Sequence, residues 1–205
     1  MKKVLLSLVI LLFCNSSFAE RLLPVDFIGQ PQMLLKDSNV NACGIRFMGI
    51  QSPSDSSDSS APIWIADASF MLYSNNMGLV KALISESTVS ALSKNNKKVN
   101  KKTFNTFWMK ADNSPATNPV KGNAVDGEDA GSKIYITDID PLISLYLAAM
   151  SGEHIKLAYK FKDESKNMIL YGKVSLSEDD FKQIKGCMDE LASLIAKDTL
   201  PKNSK

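Results

Sequence analysis

Strict alternation of apolar and polar positions is clearest at His154 to Lys162, where Ile155, Leu157, Tyr159 and Phe161 fall on one side and Lys156, Lys160 and Lys162 on the other. A period of two places alternate side chains on opposite faces of a strand, so this segment predicts a half-buried strand. The polar link Asp163 to Asn167 returns it into Met168 to Leu176, which makes a hairpin. An earlier hairpin is predicted from Trp64, Ala66, Ala68, Phe70 and Leu72, alternating between Pro62 and Ser74. Asn75, Asn76 and Gly78 tolerate positive φ and supply its turn, and Leu79 to Glu86 is the returning strand. Further strands are expected at Ala42 to Ile50, where Cys43, Ile45 and Phe47 share parity, at Phe104, Phe107 and Trp108, and at Lys133 to Thr137.

The pattern switches to helical spacing twice. Pro141 suits the first position of a helix capped by Asp138 or Asp140, its apolar run extends from Leu142 to Met150, and Gly152 lies just beyond. Phe181, Ile184, Met188, Leu191 and Ile195 recur at helical spacing behind Ser177 and Asp180, a pairing like a capping box, with Glu178, Asp179 and Asp180 at the positive end of the helix dipole. A helical turn is expected around Val89 to Leu92.

Between these elements, Glu20 to Asp37 carries Pro24 and Pro31 and no steady period, which predicts an irregular segment laid on the body. Ser52 to Ser60 reads as a solvated loop, and Asp112 to Ser132, with two prolines and three glycines, as a long functional or mobile one. No solenoid period or sustained heptad recurs. The expected class is α+β: a single domain with a mostly antiparallel twisted sheet of about six strands, packed by the C-terminal helix, with the Leu142 helix at an edge or beneath.

The first nineteen residues alter this picture by supplying an address. Lys2 and Lys3, the apolar run Val4 to Phe13, and the small residues Ser17 and Ala19 before Glu20 form a cleavable signal peptide. A membrane span needs about 18 or more consecutive apolar residues, which this run does not reach. Acylation at Cys14 is the alternative, and the bulky Phe13 before it argues against lipidation. The domain is then residues 20–200, with residues 201–205 a disordered tail. Of the three cysteines, Cys14 leaves with the signal peptide, and Cys43 and Cys187 remain as the only intramolecular pair in an oxidising compartment. Without Lys2 and Lys3, the formal charge of +2 falls to about zero, so binding to a polyanion must rest on local clustering.

The catalytic repertoire is narrow. His154 is the sole histidine, which excludes HExxH zinc chemistry and multi-histidine metal sites, and no GxSxG, SxxK, GxGxxG or GxxxxGK motif occurs. No cofactor or metal is called for. Asp126, Glu128 and Asp129, or Asp138 and Asp140, are the carboxylates available for acid–base work, but turn formation and helix capping account for them. The densest charge cluster is Lys94, Lys97, Lys98, Lys101 and Lys102, followed at once by Phe104, Phe107 and Trp108. These five lysines and Trp108 are the candidate partner-binding residues. Such a mixture suits phosphate contacts and stacking in a nucleic-acid protein, but export argues against nucleic acid and for an envelope protein or an anionic envelope polymer. The sequence therefore reads as an exported, periplasmic, non-enzymatic binding protein of a bacterial envelope. The alternatives are a carboxylate-dependent envelope hydrolase acting on peptidoglycan or glycan, and a structural subunit of a secretion or pilus system.

Overall fold

The computed structural model describes residues 21–51, 58–88, 90–91, 99–162, 164 and 167–199. The signal segment, the tail, Lys94, Lys97 and Lys98 lie outside these residues, as do parts of the Ser52 to Ser60 loop and of the Val89 to Leu92 turn.

The fold is α+β, with one mixed, mostly antiparallel sheet and two long helices. In chain order the strands are β1 (Arg21–Pro24), β2 (Phe27–Lys36), β3 (Asn39–Gln51), β4 (Pro62–Tyr73), β5 (Gly78–Thr88) and β6 (Asn100–Lys101). β7 (Phe104–Ala111), β8 (Val125–Asp126) and β9 (Lys133–Thr137) follow, then helix α1 (Ile139–Ser151), β10 (His154–Phe161), β11 (Met168–Ser175) and helix α2 (Glu178–Thr199). The sheet order is β7-β10-β11-β2-β3-β4-β5-β9-β8, with β1 beside β11 and β6 beside β5. Both predicted hairpins form, β4 with β5 and β10 with β11.

The sheet has 11 strands where about six were expected. The principal correction is the irregular segment from Glu20 to Asp37, which contributes β1 and β2, each running parallel to a different stretch of β11. Pro31 escapes the usual penalty for proline in a sheet because β11 pairs with β2 only at Phe27 and Ile28, so Pro31 lies past that partner. Asp37 and Ser38 both take positive φ in the turn to β3. The strands β6 and β8, at two residues each, are too short for any period to be visible.

One face of the sheet carries the core. Cys43, Ile45 and Phe47 of β3, Ala66, Ala68, Phe70 and Leu72 of β4, and Leu157 and Tyr159 of β10 are all buried in one hydrophobic cluster that takes in both helices. α1 packs on β7, β10, β11 and β4 through Leu142 and Leu145, while α2 lies on β2 and β3 through Ile184, Cys187 and Leu191. α1 begins at Ile139, two residues before Pro141. Asp138 is its N-cap but makes no side-chain cap bond, and Gly152 ends it in the left-handed region at φ 69°. At the start of α2, the Ser177 hydroxyl accepts the Asp180 amide at 3.1 Å and donates to its carboxylate, a variant of the capping box. Cys43 and Cys187 form a disulfide with 5.8 Å between Cα atoms, joining β3 to α2.

The sheet curls until its ends approach each other. The Tyr159 hydroxyl donates to the Leu83 carbonyl, which brings β10 over β5. Tyr135 of β9 packs its ring on Phe107 of β7 at 4.8 Å and shares a 2.7 Å hydrogen bond with the Thr117 hydroxyl. Thr117 gives its N–H to the Met109 carbonyl and accepts the Met109 N–H on its hydroxyl, while the Val120 N–H reaches the Ile136 carbonyl. Residues 117–120 of the long Asp112 to Ser132 loop thus sew β7 to β9. In this part the loop is structural.

Candidate functional site

The other face of the sheet is where charge collects. Arg46, Ser69 and Lys81 stand directly opposite one another across β3, β4 and β5. Since strands lie about 4.8 Å apart, the two cations start about 10 Å from each other, with the small Ser69 between them. Larger side chains at that middle position would fill the gap. Instead, a polar concavity of about 190 Å³ forms, lined by Gln32, Arg46, Asp67, Ser69, Lys81 and Asp129, among others.

Two ion pairs hold the site. Asp67 lies two residues along β4 from Ser69, on the same face, and takes a forked pair of bonds from the Arg46 Nε and Nη2, at 2.8 and 2.5 Å. Bonding to Asp67 raises the Arg46 pKa. Asp129 reaches in from the long loop to Lys81. Contact with Lys81 is the main cause that lowers the Asp129 pKa, and the fields of Lys101 and Arg46 add to it. The turn that presents Asp129 is closed by its own backbone: Ser132 donates its N–H and its hydroxyl to the Asp129 carbonyl at 2.9 and 2.7 Å, and the Gly127 N–H donates to the Ser132 carbonyl. Gln32 Oε1 is buried with no hydrogen-bond partner.

Of the candidate contact residues that are described, Lys101 comes closest to this site. It pairs with Ser85 through β6, its side chain runs beside Gly131, and its charge acts on Asp129. Lys102 is turned to a different neighbourhood, where it pairs with Glu86 and sits 5.7 Å over the Trp64 ring. Trp108 is half-buried on β7, on the side away from Phe107 and Met109, and does not line the concavity. The end of the lysine-rich segment and the acidic loop, separate in sequence, therefore meet, while Trp108 stands apart.

The carboxylates considered for acid–base work are occupied or scattered. Asp126 pairs with Lys133 at 2.8 Å, Asp129 pairs with Lys81, and Asp138 and Asp140 sit at the start of α1. His154 stacks on Tyr171 with ring centroids 4.5 Å apart. Among the described residues no helix is long and apolar enough to cross a membrane. Comparison with known proteins finds no matching family model, no matching curated protein and no matching solved structure.

Arg46, Asp67, Ser69 and Lys81 were not singled out by sequence. Each is a polar residue on the outward parity of a predicted strand, and aligning the β4–β5 hairpin from its Asn75–Gly78 turn would have set Ser69 against Lys81.

Proposed function

We propose that this chain is an exported, periplasmic protein that acts by binding an acidic envelope partner rather than by catalysis. The observation that carries this reading is that Arg46 and Lys81 line one concavity with the loop carboxylate of Asp129, while Lys101 lies beside the same loop at Gly131. A site built for anions leaves cations in excess of their fixed counter-ions, and here Asp67 is the sole strand-borne acid lining the concavity. Engagement of Asp126 and Asp129 in ion pairs with lysine disfavours the hydrolase reading, which needs two free carboxyl groups facing a shared cleft. The buried Cys43–Cys187 bond agrees with an oxidising destination.

The test is crosslinking in intact cells with the wild-type chain and with a variant carrying glutamine at Lys94, Lys97, Lys98, Lys101 and Lys102. The captured partner is acidic, and the variant weakens its binding by at least about tenfold while flattening the salt dependence. Equal recovery of the same partner by both chains rejects the lysine-rich segment as part of the contact surface.

A further inference from the structure

Asp129 is a peculiar occupant of its position. Its side chain is 63% exposed, yet it sits in contact with Lys81 and within the fields of Lys101 and Arg46. It is carried on the acidic stretch Asp126, Gly127, Glu128, Asp129, of which Asp129 alone lines the concavity, so the site already holds one carboxylate belonging to the chain itself. The turn bearing it is closed by Ser132 and Gly127 bonds that do not involve its carboxylate, so its shape is independent of the contact with Lys81.

We infer that the concavity over Arg46, Ser69 and Lys81 is a recognition site for a carboxylate side chain of an acidic protein segment, and that Asp129 is a tethered competitor that an incoming carboxylate displaces. The inference deepens the proposed function by naming its ligand class, and rests on that reading of the face.

The donors suit such a group. The forked pair with Asp67 uses Nε and Nη2 of Arg46, leaving the Nη1 amino group outside that pair. Lys81 supplies a charge whose present partner is exposed. Ser69 adds a hydroxyl on the floor, and Gln32, whose carboxamide has one end buried without a partner, supplies an N–H donor when its amide is rotated. The volume of about 190 Å³ admits a side-chain head group and leaves the rest of a ligand outside. An exposed ion pair shifts an equilibrium by no more than about fivefold, so a tethered competitor of this kind yields to a ligand that brings several carboxylates at once.

The test uses fluorescence anisotropy of labelled acetyl-hexaglutamate amide with the full mature chain. Asp129→Asn removes the competitor and tightens binding about threefold to fivefold, the factor by which a contact of that strength masks a site. Glu128→Gln makes the same change in net charge one residue away and alters binding by less than about twofold, because it removes general repulsion alone. Adding Lys81→Met to Asp129→Asn returns the affinity to the wild-type value or below. Equal effects of Asp129→Asn and Glu128→Gln overturn the inference, as does displacement of the peptide by trigalacturonate at equal or lower concentration, which would assign the site to an acidic glycan. If the five-lysine variant loses its cellular partner while Asp129→Asn changes nothing, the binding face stands and the tethered competitor falls; if neither changes, both fall.

Discussion

At the scale of single residues, Asp129 gives a direct electrostatic signature. Contact with Lys81, and then the fields of Lys101 and Arg46, keep its carboxyl below the usual Asp value of about 3.9. A depressed folded pKa means that the contact is fully present at neutral pH and is lost as pH falls through that lowered value. Carboxyl-resolved NMR titration therefore gives Asp129 a lower midpoint in the folded chain than in urea; equal midpoints would mean that Lys81 does not hold it. Gly172 is set by shape instead. A Cβ there would run into the Val25 carbonyl, because the chain passes from β1 to β2 directly against β11 and the Val25 N–H bonds to the Tyr171 carbonyl. Gly172→Ala lowers stability by about 3 kcal/mol in urea unfolding, the upper range for overpacking, since the obstacle is backbone. A change below about 0.5 kcal/mol would contradict this packing.

Among elements, the alternating strands and amphipathic helices were legible because each has one buried face. Trp64 to Leu72 and Ile155 to Phe161 show it, and the parity of Cys43 with Ile45 and Phe47 pointed correctly to the disulfide. Elements whose buried face is short were not legible. β2 is buried in alternation only near Phe27 and Gly29 and is largely exposed from Met33 onward, so its sequence lacks the pattern of a half-buried strand. Likewise, nothing in the composition of Asp112 to Ser132 shows that Thr117 bridges β7 and β9. The charged concavity lay hidden for a related reason, since it assembles from four strands and a loop and depends on strand register. Closure of the curl centres on Tyr135, whose hydroxyl reaches Thr117 and the Phe107 carbonyl. Tyr135→Phe costs about 1–3 kcal/mol and exposes the Met109 and Thr117 amides to faster hydrogen exchange than those of β3. Uniform acceleration, or none, would show that the curl is held elsewhere. Burial also holds the Tyr135 and Tyr159 phenols above their usual pKa, so the stability linked to them is present below about pH 10 and declines as pH rises beyond it.

Across the whole molecule, a disulfide clamps the third strand to the last helix, a bond that suits the proposed export to an oxidising compartment. Cys43 and Cys187 are separated by 144 positions, so the bond closes most of the chain into one loop. Chain entropy assigns such a loop about 5 kcal/mol, comparable to the total stability of many domains. The clamp also bears on function, because α2 packs on the inner side of β3 while Arg46 projects from the outer side of the same strand. Anchoring β3 from within fixes one wall of the concavity. The most direct test is intact-mass analysis, with thiol counting, of the protein purified from cells without reductant. The expected result is a chain starting at Glu20 whose denatured form exposes no free thiol until it is reduced. A chain that retains residues 1–19, or one that shows two free thiols on unfolding, would contradict it.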